Sequence, residues 1–202
     1  MRRLLVLLAV VLTSVASAAR AQQHVDIAGS LDPASPGGVQ YHLANFLDDP
    51  QLRETLDDEI AINLHWTVQL WRRRGIGIGA EQGEKTSWNV LIKHVAVTNL
   101  YAVRTITPGR QHNERFSADS LRRNLDQWFG FTLTPSRPGD WYYTIDLSIS
   151  TLSDADIARL QQQNDPGGSV FGKALDLFIL KRSVQSLQLH KQTESFTFPI
   201  RH

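Results

Sequence analysis

The chain has 202 residues, with 21 Lys and Arg, 20 Asp and Glu, and no cysteine. The lack of thiols excludes disulfides, thiolate metal ligands and a cysteine nucleophile, and the balanced charge gives no reason to expect nucleic acid as a partner. The length fits one domain of ordinary size.

The first 21 residues have the layout of a secretory signal peptide. Arg2 and Arg3 precede an apolar run over residues 4–12, and residues 19–21 form the A-x-A pattern of a cleavage site. The apolar run is about half as long as a membrane-spanning helix, so no stable span is expected after cleavage. We therefore expect cleavage before Gln22 and export, to the periplasm or as a secreted protein. The mature chain would carry 18 basic and 20 acidic residues.

Residues 22–202 are expected to form a single β-rich domain. A brief strand is predicted over residues 25–28, a loop over 32–38 and a strand over 39–46. Asp49 before Pro50 predicts the start of a short helix, because aspartate caps a helix and proline is tolerated at its first position.

The longest periodic segment follows that helix. Residues 60–71 alternate between apolar and polar side chains, which predicts a half-buried strand with one wet face. Residues 75–86 are rich in glycine and polar side chains and are predicted as a loop or wide turn. Residues 87–95 and 100–106 are predicted as strands, with a turn or bulge near residues 95–99.

The second half of the chain starts with a polar connection, predicted over residues 108–114. Ser117 is the expected N-cap of a helix whose buried stripe comprises Leu121, Leu125, Trp128 and Phe129, with Gly130 at its end. Residues 131–134 are predicted as a short strand and residues 141–149 as a second long one. The remaining predictions are a helix over 153–160, a buried helix or strand over 170–181, and a closing hairpin of residues 183–191 and 194–200.

About eight or nine strands and two or three short helices follow from this count, without a β-α-β-α rhythm. The pattern predicts a mainly β, β-rich α+β fold: an antiparallel β-sandwich with two or three short peripheral helices. A closed β-barrel with a ligand cavity is the alternative.

Over residues 40–150 the chain resembles the bacterial domain of unknown function 4390 family. The similarity lies in the short helix before the strand at 60–71, the Thr98-x-x-Tyr101 segment, the helix from Ser117 and the strand from Trp141. The chain departs from the family at residues 58–59, where a glycine is expected, in the longer link over 165–180, and in its closing segment around residues 196–198. The family has no agreed activity, so the resemblance implies an exported cell-envelope protein and no particular reaction.

Four consecutive residues form the candidate binding patch: Trp71, Arg72, Arg73 and Arg74. An outward tryptophan beside three arginines could bind an anionic partner, a lipid headgroup or an acidic protein loop. The alternative is a solvated strand end. Residues 170–180 could dock a partner or face a membrane, or they could be buried in the core.

No reactive constellation is recognisable. His65, His94 and His112 lack metal-ligand spacing, and the carboxylates at 57–59, 154 and 156 are explained by helix ends. Residues 75–79 resemble a nucleotide loop in composition only, and no G-x-S-x-G elbow appears. We therefore predict no catalytic residue, no cofactor and no metal.

These observations favour an exported, non-catalytic module that binds an envelope protein or another envelope component. A small-molecule or lipid carrier is the alternative, although the wet faces of the two long strands argue against it. A hydrolase with an unrecognised site is the second alternative.

Overall fold

The computed structural model describes residues 24–35, 37–74, 79–152 and 186–198. The predicted signal peptide lies outside the described residues, as do the elements predicted over 153–160 and 170–181 and the carboxylates of Asp154 and Asp156.

The described residues form ten strands and two helices. The strands are β1 (Asp26–Leu31), β2 (Val39–Ala44), β3 (Ala61–Arg73), β4 (Ala80–Val95), β5 (Leu100–Thr107), β6 (Arg110–Phe116), β7 (Phe129–Phe131), β8 (Gly139–Leu152), β9 (Ser186–Gln192) and β10 (Phe196–Phe198). The helices are α1 (Pro50–Asp57) and α2 (Ala118–Leu125).

The strands pair into two antiparallel sheets. A three-stranded sheet has the order β1-β2-β7, and a seven-stranded sheet has the order β10-β8-β3-β4-β5-β6, with β9 also paired to β8. Buried side chains of β2 and of the facing strands β3 and β8 belong to one core, as expected of a sandwich. The prediction of a β-rich antiparallel sandwich with short helices is therefore confirmed. In the described part of the chain both sheets are open at their edges, so the closed-barrel alternative is wrong.

The start of α1 follows the predicted capping chemistry. Asp49 Oδ1 accepts hydrogen bonds from the backbone N–H of Gln51 at 3.0 Å and of Leu52 at 3.1 Å. Pro50 occupies the first helical position. The helix leads into β3 and buries Leu56 in the core.

Replacing Asp49 with alanine should destabilise the protein by about 1 kcal/mol, because two N–H groups of the first turn lose their acceptor. Urea denaturation of Asp49→Ala measures this loss. Asp58→Ala, at the other end of α1, is the matched control. An equal loss in both variants would contradict the capping role of Asp49.

Both faces of β3 are buried at the centre of the sheet. Its inward residues, from Ile62 to Leu70, are at most 4% exposed, as the alternation predicts. The prediction of a wet opposite face is wrong, since Asn63, His65 and Gln69 are at most 9% exposed. Ile60, which the alternation places inside, precedes the strand and is 42% exposed.

The strand β4 is longer than predicted and contains a bulge. It begins at Ala80, within the segment predicted as a loop, and pairs along most of β3. The register shifts between the pairs Gln69–Lys85 and Trp71–Gln82. The Gln69 amide nitrogen donates to the carbonyl oxygens of Gly83 at 2.9 Å and Glu84 at 3.2 Å, so this buried side chain satisfies the bulged backbone.

Two predictions in the middle of the chain are wrong. The polar connection over 108–114 is largely the edge strand β6, which pairs with β5 and carries mostly exposed side chains. The helix α2 ends at Leu125, so Trp128 and Phe129 leave the predicted stripe and are 48% and 36% exposed. Gly130 lies in β7, where the chain pairs with β2 instead of continuing the helix.

The C-terminal hairpin prediction is also wrong. Both β9 and β10 pair with β8, one after the other along the same strand. Thr193, the first of the three residues between them, donates its N–H to the Tyr143 carbonyl and accepts the Tyr143 N–H at its hydroxyl, each at 3.0 Å. These two bonds continue the pairing across the interruption.

Neither of the two helices in the described ranges is long and apolar enough to cross a bilayer.

Candidate functional site

A cavity of about 430 Å³ lies between the two sheets. The three-stranded sheet covers only part of the seven-stranded one, and α2 contacts β2, β5 and β6 at the side. The lining of the cavity comes from β2, β3, β4, β5, β6, β7 and α2 and includes Tyr41, Leu43, Leu64, Trp66, Trp88, Val90, Val103, Leu121, Leu125, Phe129 and Phe131. Such a volume and lining are typical of a small-molecule site.

Five aromatic rings form one wall of the cavity. Trp66 and Trp88 are direct cross-strand partners on β3 and β4, and their rings stack with centroids 6.1 Å apart. The Tyr41 ring lies 4.9 Å from Trp66 and 5.6 Å from Trp88. Phe129 stacks on Tyr41 at 5.8 Å and Phe131 on Trp88 at 6.0 Å. These contacts hold the rings in place, so the wall is preorganised for an apolar or flat ligand.

Polar side chains in the lining are few and mostly uncharged. They are Thr86, Thr105, Thr107 and Asn124, besides the phenol of Tyr41. The one charged lining residue among those the structure describes is Glu114, which is about half exposed and pairs with His112 at 3.4 Å. The lining therefore offers hydroxyl and amide groups but no cation to a ligand.

Tyr41 is the buried titratable group of this site. Burial raises the pKa of its phenol well above the ordinary value of 10.0. The hydroxyl consequently stays protonated at physiological pH, and the aromatic wall carries no charge.

A second hollow of about 580 Å³ lies on the outer face of the seven-stranded sheet. It is more open to solvent, and it is lined by small apolar residues such as Ala61 and Ala102 together with Lys93, Arg104 and Arg115. Because it is a surface trough without aromatic residues, it offers less contact area to a ligand than the cavity between the sheets.

The predicted patch of Trp71, Arg72, Arg73 and Arg74 does not form one surface. Side chains alternate across β3, so Trp71 and Arg73 lie on one face, and Arg72 on the other. The Trp71 indole donates to the Thr144 hydroxyl at 3.0 Å, and the Arg73 guanidinium lies 5.8 Å from the Tyr142 ring centre. Arg72 and Arg74 instead approach Glu81.

The histidines singled out in the sequence are scattered. His65 Nδ1 lies 3.0 Å from Asn89 Oδ1 inside the sheet, while His94 Nε2 lies 3.2 Å from Asn99 Oδ1 in a turn. His112 lies on the edge strand β6. Among the residues that the structure describes, no three His, Asp or Glu side chains come close enough to hold a metal ion.

The carboxylates of residues 57–59 have local structural surroundings. Asp57 ends α1 and Asp58 is its C-cap. Glu59 Oε1 accepts the N–H of Ala96 at 2.8 Å, which ties the start of β3 to the turn after β4. Of the glycine-rich segment, residues 75–78 lie outside the described part of the chain.

Sequence reasoning missed the aromatic wall. The alternation over residues 60–71 places Trp66 on the apolar face of its strand, but its neighbours Tyr41, Trp88, Phe129 and Phe131 come from three other strands. The signal that could have found it is the alternation of apolar and polar residues along each strand, which places an aromatic ring on the inner face of β2, β3 and β4. The strand order needed to bring those rings together is not a local property of the sequence.

Comparisons with known proteins place the chain in no family. No family model, no curated protein and no solved structure matches it.

Proposed function

We propose that this protein is a non-catalytic binding protein that holds an uncharged, mostly apolar small molecule between its two sheets. The aromatic cavity carries the proposal. Of the two non-catalytic hypotheses drawn from the sequence, the cavity favours the carrier over a module that binds only through its surface.

The polar faces of the two long strands do not argue against a carrier. Polar residues of β3 and β8 lie on the outer face of the sheet, and the cavity needs apolar residues on the inner face alone. Inner residues such as Leu64, Trp66 and Val90 supply that apolar surface.

The chemistry of the lining supports an uncharged ligand. Each methylene that leaves water contributes about 0.8 kcal/mol, so a ligand of a dozen or so carbon atoms could bind tightly without an ion pair. An anionic headgroup would meet no cation in the described lining and would be repelled by Glu114. The Thr105 hydroxyl can donate a hydrogen bond to a polar end or accept one from it. The Thr107 hydroxyl can accept one, since its own hydrogen is donated to the Arg110 carbonyl at 3.2 Å.

We further propose that the protein acts outside the cytoplasm, in the cell envelope. The layout of residues 1–21 as a signal peptide supports this location. An apolar ligand would need a carrier in such an aqueous compartment, because exposed apolar surface is unfavourable in water.

A substitution that fills the cavity tests the proposal. Thr105 is half-buried on the inner face of β5 and lines the cavity. In Thr105→Phe the added ring should occupy ligand space and weaken binding of the neutral fluorophore N-phenylnaphthylamine by roughly tenfold or more. Fluorescence titration measures the affinity, and thermal unfolding checks that the variant is folded.

Thr67→Phe is the matched control, since Thr67 is a half-buried strand threonine on the opposite face of the sheet. This variant should bind the fluorophore like the unmodified protein. Absence of binding by the unmodified protein, or an equal loss in both folded variants, would contradict the proposal.

A further inference from the structure

Three guanidinium groups gather around one carboxylate at the end of the β3–β4 pair. Glu81 Oε2 lies 3.7 Å from Arg72 Nη1 and 3.4 Å from Arg74 Nη2. Arg137, from the segment before β8, forms an ion pair with the other Glu81 oxygen. The group thus comes from three separate parts of the chain, and we call it the arginine cluster.

The charges of the arginine cluster do not balance. In the described part of the chain, Glu81 is the only acidic side chain within 4.0 Å of these guanidinium groups. Glu84 and Asp140 instead accept hydrogen bonds from neutral groups, the Thr134 N–H at 3.1 Å and the Thr197 hydroxyl at 2.7 Å. Among the groups in ion-pair contact, three cations and one anion leave an excess of two positive charges.

The hydrogen-bonding capacity is unbalanced as well. Each guanidinium carries five N–H donors, whereas a carboxylate accepts about four hydrogen bonds. Arg74 and Arg137 are each about half exposed, so their remaining donors are accessible from solvent. A further anion can therefore reach the cluster without displacing Glu81.

The backbone holds two of the arginines in position. The Arg72 guanidinium lies against Gly139, where a Cβ atom would come within 2.7 Å of Arg72 Nε, and Gly139 has a φ of +141°. The Arg137 carbonyl accepts the indole N–H of the fully buried Trp141 at 3.1 Å. Part of the conformational entropy of these arginines is therefore lost when the protein folds, and this part does not oppose binding of a ligand.

We propose that Arg72, Arg74 and Arg137 form a binding site for a phosphate group. Arginine forks match phosphate oxygens, and a phosphate carries enough negative charge to compensate the excess of the cluster. This site is independent of the cavity between the sheets. The phosphate could belong to a soluble phosphate ester or to a phospholipid headgroup.

Titration with inorganic phosphate, followed through the amide NMR signals of Glu81 and Gly139, tests the site. Arg74→Gln should weaken phosphate binding roughly tenfold, as the loss of a charge-assisted hydrogen bond predicts. Glu81→Gln should tighten binding by a similar factor, because it removes a negative charge that repels phosphate. Arg110→Gln, an exposed arginine of β6, is the matched control and should bind phosphate normally.

The opposite signs of the first two variants separate a phosphate site from a structural ion-pair cluster, which would lose stability in both. Cosedimentation with phosphatidylcholine vesicles, with and without phosphatidylglycerol, distinguishes the two phosphate sources. Sedimentation with the anionic vesicles supports a headgroup, and phosphate binding without sedimentation supports a soluble ester. No response of the unmodified protein to either probe, or equal weakening in Arg74→Gln and Arg110→Gln, would overturn the proposal.

Discussion

Gly83→Ala is expected to destabilise the protein by about 1–3 kcal/mol, which is typical of overpacking a filled core. A Cβ atom at this position would lie 2.7 Å from Cζ3 of Trp141 and 3.1 Å from the Leu70 carbonyl oxygen. Trp141 is fully buried and bonded through its indole N–H, so its ring cannot turn away easily. The Leu70 oxygen belongs to the backbone of β3, opposite the bulge of β4, and is equally constrained.

Urea denaturation of Gly83→Ala gives the loss of unfolding free energy directly. Gly130→Ala is the control, because the nearest atom to its added methyl group is a carboxylate oxygen of Asp32 at an ordinary 3.6 Å. In a Trp141→Phe background the smaller ring should reduce the effect of the alanine by at least about 0.5 kcal/mol. Additive losses would show that the strain comes from the backbone and not from the indole.

The bulge also explains one limit of sequence-based prediction. Residues 80–86 combine glycine with charged side chains, which locally favours a loop. They form a strand because β3 offers them a full set of backbone partners and because Gln69 satisfies the two carbonyl groups at the bulge. The edge strand β6 is the same case, since its pairing with β5 outweighs its polar composition.

Elements set by local chemistry were predictable. The cap of α1 follows from Asp49 and Pro50, and the long strands β3 and β8 follow from their apolar alternation. The burial of Asn63 and His65 was not predictable, because it depends on the central place of β3 in the sheet.

The predicted patch and the arginine cluster also differ in how far the sequence alone predicts them. The period of two already separates Trp71 and Arg73 from Arg72, so the division of the predicted patch was contained in the alternation. The alternation does not predict that Glu81 and Arg137 lie beside Arg72. Their position depends on the register of β4 and on the position of the segment before β8.

Alkaline pH is expected to destabilise the protein through its buried phenols. Burial raises the pKa of Tyr41 above the value of 10.0 that the unfolded chain would have. Burial also raises the pKa of Tyr143; the hydrogen bond with the Leu133 backbone opposes this rise, and the charge of Glu84 adds to it. The Tyr143 hydroxyl donates to the Gly37 carbonyl at 2.6 Å and accepts the Leu133 N–H at 3.2 Å, which links the large sheet to segments that flank the small one.

The sign of the effect follows from proton linkage. Below pH 10 both states keep these phenols protonated, and the stability they contribute is fully present. As pH rises above 10.0 the unfolded state releases their protons while the folded state retains them, so the free energy of unfolding falls until the folded pKa is reached. Tyr41 alone should lower the unfolding free energy by about 1.4 kcal/mol per pH unit in that range.

Urea unfolding at about pH 9 and at about pH 11 measures the slope, which is the diagnostic quantity. In Tyr41→Phe the unfolding free energy should fall less between the two values of pH, because unfolding then releases about one proton fewer. This holds whatever the substitution does to stability at the lower pH. Val68→Ala is the control, because it truncates a fully buried side chain of the same core without removing a titratable group. It should lower stability equally at both values of pH. A slope that Tyr41→Phe leaves unchanged would mean that the phenol of Tyr41 ionises alike in the folded and unfolded chain, and the aromatic wall would then be open to water.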